Sequence, residues 1–363
     1  MYIKEIELKN YRNYDYLKIE FNEKTNLILG NNAEGKTNLL ESIYLSSIGR
    51  SFRTNKDSDL VQFNKNAAKV SVKAEKNYGE TTVEITVKKD SKKSVKKDGV
   101  NIKRASELLE NILIVIFSPE DLKIVKDEPE KRRKFIDREL SQILPSYYDS
   151  LSNYKKILLQ RNTYLKEDSI DASLLDLWDV QLAKYGSRII RAREKFIKKL
   201  NGYSSRIHDS ITNGKEKLEL VYEPNIDICD DLENRYYEII RENFQNDLRQ
   251  RTTGKGPHRD DIAFYVNGVN MRNFGSQGQQ RTCALSLKLA ELNLIKEETD
   301  EDAILLLDDV MSELDIERQE YLIKTLKDNQ LFITTTDVEK RITDSLPEGK
   351  VMYVKHGTIS FDK

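Results

Sequence analysis

One segment near the N-terminus restricts the possible fold more than any other. Residues 26–42 read NLILGNNAEGKTNLLES, and GNNAEGKT at residues 30–37 fits the pattern G-x-x-x-x-G-K-[ST] without a gap. The apolar run before it predicts a buried strand, and the apolar residues after it recur at helical spacing. A strand, a glycine-bounded loop and a helix form the context that this pattern requires. The segment therefore predicts an α/β fold with a phosphate-binding loop.

The residue types of this loop suit the binding of a nucleotide. Gly30 and Gly35 allow tight backbone bends that let successive N–H groups surround a phosphate, and the helix N-terminus adds its dipole. The Lys36 ammonium group can reach the β- and γ-phosphates, and the Thr37 hydroxyl can bind Mg²⁺. We predict the following nucleotide-binding residues: Gly30, Asn31, Asn32, Ala33, Glu34, Gly35, Lys36, Thr37 and Asn38.

A second segment, near the C-terminus, supplies carboxylates for such a site. Residues 304–315 read ILLLDDVMSELD, so four apolar residues lead into Asp308. In a parallel α/β sheet the C-terminal tip of this strand lies beside the phosphate loop, where Asp308 would hold Mg²⁺ directly or through a water. Asp309 can point at the attacking water. We predict Lys36, Asp308 and Asp309 as catalytic residues, and Thr37 and Asp308 as magnesium ligands.

Composition narrows the class of protein. A chain of 363 residues is too long for one small core, so about two domains or lobes are expected. Cys229 and Cys283 give neither a disulfide framework nor metal-ligand spacing, and three histidines argue against a histidine-based metal site or triad. The chain has no apolar run long enough to cross a bilayer and no signal-peptide core, so we expect a cytoplasmic protein without a membrane partner.

Periodicity predicts sheets at both ends of the chain and helices in the middle. Strands are expected at residues 2–9, 16–21, 68–74, 81–88, 112–117, 216–222, 261–266 and 330–337, and a pair of strands at 350–360. Two or three long helices are expected over residues 139–166 and 173–208, and another at about 231–248. The expected helical stripe of the second long segment consists of Leu174, Leu177, Val180 or Gln181, Tyr185 and Ile189.

Basic segments recur along a chain whose net charge is only −1. Residues 88–104 hold eight Lys or Arg and two Asp, so this predicted hairpin can contact phosphates or protect a sheet edge. Residues 184–199 carry seven basic residues against one acid, for which a solvated helix face is the usual explanation. Residues 249–259 predict a basic surface loop that can contact phosphate. Residues 274–282 form a polar loop that opens a helix, a second anion site.

Six blocks of sequence occur in the order shown by one known family. They are GNNAEGKTNLLE, GRSFRT, FSPEDL, PHRDD, GSQGQQR and LLLDDVMSELD. On these residues the chain resembles the RecF family, within the ABC/SMC class of ATPases, over its whole length. The wide separation of Lys36 from Asp308 agrees with this, because simple P-loop kinases and GTPases bring the two motifs together within a shorter span. The resemblance implies ATP and Mg²⁺ as cofactors.

The resemblance also implies two lobes. Lobe I, residues 1–118 and 300–363, would be an ABC-type P-loop ATPase head with a mixed sheet and helices, and it contains both nucleotide motifs. Lobe II, residues 119–299, would be an inserted, largely helical segment that carries the signature motif. This insertion is too short for the long coiled-coil arm of a chromosome-condensing ATPase.

By the same resemblance, the second anion site has a role in dimerisation. Ser276, Gly278 and Gln279 match the ABC signature, with Gly275 and Gln277 in place of its leucine and first glycine. In such ATPases the signature serine and its helix N-terminus meet the γ-phosphate bound by the other protomer. The resemblance therefore implies an ATP-dependent homodimer arranged head to tail, in which these three residues complete the nucleotide site.

Other positions are compared with the same pattern. Residues 312–315 resemble the D-loop that crosses the dimer interface. Asp309 stands where most ABC ATPases have a catalytic glutamate, and its shorter side chain implies slow hydrolysis. The resemblance places Thr335 and Thr336 at the switch and residues 117–121 at the Q-loop. It places Arg12 and Arg50 beside the nucleotide.

The resemblance implies a weak, DNA-stimulated ATPase of recombinational repair. It would bind double-stranded DNA near gaps and single-strand junctions, and would work with RecO and RecR to load RecA. Because the chain lacks an overall positive charge, its attraction to DNA must come from local patches. The alternatives are an ABC transporter subunit, an SMC-like chromosome-organising ATPase and a P-loop nucleotide kinase. The missing switch histidine argues against the transporter subunit, and the short helical lobe argues against the chromosome-organising ATPase. The signature-like segment argues against the nucleotide kinase.

Overall fold

The computed structural model describes residues 1–326, 328–336 and 348–361. The chain forms two units, Met1–Leu122 with Glu291–Lys363 and Lys123–Ala290. The first unit contains two six-stranded sheets, and the second contains long helices and a three-stranded sheet. The chain thus leaves the first unit, forms the second and returns. The lobe boundaries at residues 118/119 and 299/300 remain predictions.

One sheet of the first unit is antiparallel throughout. Its strands are β1 (Tyr2–Tyr11), β2 (Tyr14–Glu20), β4 (Ala67–Lys76), β5 (Gly79–Lys88), β6 (Ser91–Lys97) and β7 (Val100–Asn101). Their order is β2-β1-β4-β5-β6-β7. Alternating apolar residues such as Val70, Val72 and Ala74 point to the buried face. The expected strands at residues 2–9 and 16–21 pair as β1 and β2, and those at 68–74 and 81–88 pair as β4 and β5. The β1–β2 turn consists of Arg12 and Asn13.

The other sheet is parallel except at one edge. Its strands are β3 (Thr25–Leu29), β8 (Ile114–Phe117), β12 (Ile304–Asp308), β13 (Leu331–Thr335), β14 (Gly349–Lys355) and β15 (Thr358–Ser360). Their order is β15-β14-β3-β13-β12-β8, and only β15 is antiparallel to its neighbour. The central strands are continuous apolar runs because a parallel sheet is covered on both faces. The part of the predicted strand 330–337 at residue 337 lies outside the described residues.

Helix α1 (Lys36–Ile48) is enclosed in the core of the first unit. Leu39, Leu40 and Ile43 belong to one hydrophobic cluster with side chains of both sheets, including Ile6 and Ile28. The helix therefore leads from the loop at its start into fixed surroundings. The shorter elements of this unit are α2 (Ser106–Leu109), α10 (Ile316–Thr325) and 3-10 turns at Asp57–Leu60 and Val310–Glu313.

The second unit is built on long helices, as predicted. Its helices are α3 (Pro129–Ile143), α4 (Pro145–Tyr164), α5 (Ala172–Ile211), α6 (Leu232–Glu242), α7 (Phe244–Gln250), α8 (Met271–Phe274) and α9 (Gln277–Thr299), the last of which continues into the first unit. Its strands are β9 (Leu218–Glu223), β10 (Asp261–Val266) and β11 (Val269–Asn270), all antiparallel. Prolines begin α3 and α4, where a missing N–H costs nothing. The predicted helix at 231–248 is two helices, α6 and α7.

The buried face of α5 differs from the predicted stripe. Leu174, Leu177 and Val180 are 44, 61 and 50% exposed, whereas Leu175 and Leu182 are buried. The buried face also contains Asp179, Gly186 and Arg193, which interrupt its apolar pattern. The prediction was wrong at these three positions and correct at Ile189, which is buried. It followed apolar residues alone, while part of this face is closed by buried ion pairs.

The loop at residues 249–259 is only partly on the surface, contrary to expectation. Thr253 and Pro257 are buried. The Arg161 guanidinium donates to Thr253 Oγ1 (2.8 Å), and that of Arg193 donates to the Pro257 carbonyl (2.6 Å). Two buried arginines thus satisfy polar groups of the loop that would otherwise need water. Basic and glycine-rich composition alone did not reveal this interior role.

No helix of the described residues is long and apolar enough to cross a membrane.

Candidate nucleotide-binding site

The loop between β3 and α1 adopts the conformation that its glycines predict. Gly35 has φ 123°, and Ala33 has φ 68°, which is uncommon for a residue with a side chain. A Cβ at Gly30 would lie 2.5 Å from the carbonyl oxygen of Val354, so only glycine fits there. Left-handed residues in a short loop turn successive N–H groups toward one point, which makes an anion-binding concavity.

Lys36 is folded over this loop. Its Nζ donates to the carbonyl oxygens of Gly30 (2.7 Å) and Asn31 (3.1 Å), and the residue is 4% exposed. Among the described residues, no side chain caps the N-terminus of α1, so the helix dipole and the N–H groups of the first turn are directed toward the loop. The ammonium group and the helix end therefore converge where a phosphate would bind.

The two nucleotide motifs meet at one edge of the parallel sheet. Thr37 Oγ1 donates to Asp308 Oδ1 at 2.9 Å. Strand β13 lies between β3 and β12, and its Thr334 Oγ1 donates to the same carboxylate oxygen, also at 2.9 Å. The structure thus brings the predicted residues Lys36, Thr37 and Asp308 into one site, and their functional roles remain predictions.

The residues at this edge suit a magnesium ion. The Thr37 hydroxyl and the Asp308 carboxylate are the hard oxygen donors that Mg²⁺ prefers. Within the part of the chain that the structure describes, no group of three or more His, Cys, Asp and Glu residues could hold a metal. Two protein oxygens with waters and substrate phosphates are the usual arrangement for Mg²⁺ in nucleotide sites. The donor set therefore fits a magnesium ion that arrives with its nucleotide.

Asp309 follows at the strand tip in a left-handed conformation, with φ 52°. Its backbone N–H donates to Thr334 Oγ1 at 3.0 Å. Burial raises the pKa of the Asp309 carboxyl above its ordinary 3.8; Lys36 opposes this shift, and Asp308 adds to it. A half-buried carboxylate of raised pKa is a better proton acceptor than an exposed one.

Thr334 is a residue of this site that the sequence reasoning did not identify. The predicted switch positions were Thr335 and Thr336, but Thr334 is the fully buried threonine that contacts both aspartates. The only sequence signal is the run of hydroxyl residues at the end of an apolar strand.

The predicted Q-loop region, residues 117–121, begins at the last residue of β8, the strand next to β12. In this region Ser118 N–H and Oγ donate to Asp121 Oδ2 at 2.9 and 2.8 Å.

A second layer of contacts supports the loop from the β1–β2 turn. Arg12 Nε and Nη2 donate to both carboxylate oxygens of Glu41 in α1, at 2.8 and 2.6 Å. Asn13 Nδ2 donates to the Glu34 carbonyl (2.8 Å), and its Oδ1 accepts from the predicted nucleotide ligand Asn38 (2.8 Å). Arg12 therefore acts through a buried helix residue, while the other residue singled out with it, Arg50, is exposed.

The predicted signature residues lie in the second unit. Ser276 and Gln279 form a capping box at the start of α9, in which Gln279 N–H donates to Ser276 Oγ (3.2 Å) and Ser276 N–H donates to Gln279 Oε1 (3.1 Å). Ser276 and Gly278 are exposed. This helix start is fixed internally and faces solvent, as a contact site for another molecule requires. In the first unit, Asp315 of the D-loop-like segment caps α10 through Arg318 N–H (3.0 Å).

The chain resembles known proteins along its whole length. A family model described as the RecF/RecN/SMC N terminal domain matches residues 2–359. The DNA replication and repair protein RecF of Alkaliphilus oremlandii strain OhILAs is 46% identical over 365 residues, which is 99% of this chain and 100% of that protein. The protein of the same name from Clostridium novyi strain NT is 44% identical over 363 residues, again 99% and 100%.

Solved structures agree with these relatives. A structure of the recombination mediator protein RecF-ATP in the RecFOR pathway has a TM-score of 0.92 at 39% identity, covering 100% of this chain and 98% of that one. An SMC head bound to the C-winged helix domain of ScpA has a TM-score of 0.58 at 16% identity, covering 99% and 96%, and is similar in fold alone.

The sheet topology and the paired motifs define an ABC/SMC-type P-loop ATPase head with an inserted helical segment, so the predicted fold class is confirmed. Within that class, the chain belongs to the RecF family.

Proposed function

We propose that this protein is an ATP-dependent switch that binds double-stranded DNA in recombinational repair. The contact of Thr37 with Asp308 carries the proposal, because it joins both nucleotide motifs in one site. The 39% identical relative described as RecF-ATP supports ATP as the nucleotide. The names of the curated relatives support a role in DNA replication and repair.

Each residue at the sheet edge has a defined task in this proposal. The loop N–H groups bind the phosphates, and Lys36 exchanges its bonds to two loop carbonyls for bonds to the β- and γ-phosphates. Thr37 and Asp308 would hold Mg²⁺, which would neutralise phosphate charge. Asp309 accepts a proton from the attacking water. Because its side chain is shorter than the usual glutamate, hydrolysis is slow and resets the switch.

ATP binding also closes a homodimer in this proposal. The fixed, exposed start of α9 would present Ser276, Gly278 and Gln279 to the γ-phosphate bound by the other protomer. The negative γ-phosphate bound on one protomer and the partly positive helix N-terminus exposed on the other are complementary in charge. ATP would therefore act as the link between two copies, and ADP would release them.

The closed dimer would bind duplex DNA at gaps and single-strand junctions, with RecO and RecR as partners in the loading of RecA. The description of the 39% identical relative as part of the RecFOR pathway supports these partners. Exposed cations on α5 offer one phosphate-binding surface, in which Lys184 and Arg188 lie 5.9 and 6.0 Å from the Tyr185 ring. The lysines of β6 offer another.

The experiment that tests this function measures solution mass by light scattering with Mg²⁺ and ATP, with ADP and with no nucleotide, each with and without duplex DNA. We expect a dimer with Mg²⁺ and ATP, and a monomer with ADP or without nucleotide. Duplex binding should weaken steeply as the salt concentration rises. Equal binding of duplex in all three nucleotide states would refute the switch.

Two charge-neutralised variants then identify the DNA surface. Lys184, Arg188 and Lys195 are changed to Gln on α5 in one variant, and Lys92 and Lys96 on β6 in the other. Each lost phosphate contact makes the negative slope of log K against log salt less steep by about 0.9. A variant whose slope is less steep than that of the unmodified chain marks a surface that contacts DNA.

A further inference from the structure

An acidic side chain stands inside the loop that would bind phosphates. Glu34 lies two residues before Lys36, between Ala33 and Gly35. A carboxylate near a phosphate weakens its binding, because like charges repel strongly where water is partly excluded. The place where the structure holds this carboxylate is therefore relevant to nucleotide affinity.

The Glu34 carboxylate is held by the turn between β14 and β15, which consists of His356 and Gly357. Glu34 Oε2 accepts a hydrogen bond from the backbone N–H of His356 and lies 3.1 Å from Nδ1 of the same residue. The Glu34 side chain is 15% exposed, whereas that of His356 is 80% exposed. The carboxylate is thus largely withdrawn from solvent and is directed to the backbone N–H of His356, beside the imidazole ring.

The backbone of Glu34 is fixed by the same turn and by the β1–β2 turn. Its carbonyl oxygen accepts from Gly357 N–H (3.1 Å) and from Asn13 Nδ2 (2.8 Å). Gly357 has φ 72°, and a Cβ there would lie 2.1 Å from the Asn13 carbonyl oxygen. Only glycine therefore allows the turn to approach the loop this closely. Strand β14 pairs with β3, which leads directly into the loop.

We infer that Glu34 and the turn of His356 and Gly357 form a latch that keeps the carboxylate away from the anion site and presets the loop for a nucleoside triphosphate. This inference rests on the proposed function and deepens it, because it makes the C-terminal hairpin a determinant of nucleotide affinity. The three residues are positioning residues, which act through the loop. Opening the latch frees the carboxylate to approach the phosphates, so ATP binds more weakly.

The test is a set of MgATP titrations by calorimetry on the full chain. Gly357→Ala breaks the turn, and Glu34→Asp keeps the charge but is too short to reach His356. Each should raise the Kd about tenfold, which is about 1.4 kcal/mol. Glu34→Gln keeps an oxygen that can accept from His356 N–H and removes the charge, so its Kd should rise less than that of Glu34→Asp.

The decisive variant is Gly357→Ala combined with Glu34→Gln. If the freed charge causes the loss, removing that charge restores most of the affinity, and the two changes are not additive. Gly99→Ala is the matched control, because Gly99 has φ 79° in a hairpin turn and no atom of the described residues lies within 4 Å of its Cβ position.

Each result has one reading. Restored affinity in the double variant, with Gly99→Ala unchanged, supports the latch. Unchanged affinity in both Gly357→Ala and Glu34→Asp overturns it, and so does a double variant that binds as weakly as Gly357→Ala. If the unmodified chain itself does not bind MgATP, the proposed function fails, which is a different result from failure of the latch.

Discussion

Thr37 and Asp308 are joined by a hydrogen bond of 2.9 Å, although 271 positions separate them in the chain. The bond exists because β13 lies between β3 and β12 and aligns their C-terminal ends. Thr334 of β13 donates to the same oxygen of Asp308. The carboxylate is thus oriented by two hydroxyls, one of which belongs to the loop that would bind the phosphates.

This arrangement predicts that Asp308→Asn separates hydrolysis from binding. The amide keeps an oxygen for both hydroxyls but loses the charge that would hold Mg²⁺, so we expect hydrolysis to fall by roughly 100-fold or more while some nucleotide binding remains. Phosphate release and ATP titration measure the two effects. Asp15→Asn, at an exposed position of strand β2, is the control. Hydrolysis at the original rate in Asp308→Asn would contradict the role of this carboxylate.

Lys36→Met should abolish most ATP binding. The methionine keeps the length of the side chain but removes the ammonium group that would bind the β- and γ-phosphates, and charge-assisted bonds of this kind contribute about 1.5–3 kcal/mol each. The expected loss of affinity is therefore about 10- to 100-fold or more, measured by titration with MgATP. Lys24→Met, at an exposed position before β3, should bind as before. Equal MgATP affinity in the two variants would show that Lys36 does not bind the nucleotide.

Asp309 predicts a specific pH dependence of hydrolysis. Burial raises the pKa of its carboxyl above 3.8. The Lys36 cation opposes this rise, and the Asp308 carboxylate adds to it. The ionised form is needed to accept a proton, so the rate should fall as the pH decreases through this raised pKa, at a higher pH than for an exposed aspartate. Asp309→Asn should lower the rate by about 10² to 10⁴ and remove this acidic limb. A limb that persists in Asp309→Asn belongs to another group.

Arg161→Met should destabilise the second unit. Arg161 is fully buried and donates to Asp179 (2.6 Å), Asp247 (2.7 Å) and Thr253 (2.8 Å). Its removal leaves two buried carboxylates without their cation, which costs about 3–5 kcal/mol. The midpoint of denaturant unfolding measures this loss, and Arg249→Met, at an exposed position, serves as the control. A midpoint unchanged by Arg161→Met would show that the ion pairs do not stabilise the unit.

The sequence predicted the features that depend on local pattern. The loop at residues 30–37, the strand before Asp308 and the helix start at Ser276 are each encoded in a short run of residues, and the structure shows these elements. Features set by distant partners were not predictable: Asp179 lies on the buried face of α5 because Arg161 pairs with it, and Thr334 joins the site through strand order. The contact of Glu34 with the last hairpin also depends on β14 pairing with β3.

Ser276→Arg should prevent ATP-dependent dimerisation without loss of ATP binding by the monomer. Ser276 is exposed at the start of α9, and a large cation there would occupy the space proposed for the γ-phosphate of the other protomer. Light scattering with Mg²⁺ and ATP should therefore give the monomer mass, while the MgATP titration matches that of the unmodified chain. Ser152→Arg, at an exposed position of α4 in the same unit, should still dimerise. A normal dimer in Ser276→Arg would rule out the head-to-tail arrangement, because that arrangement requires the start of α9 to contact the γ-phosphate of the other protomer.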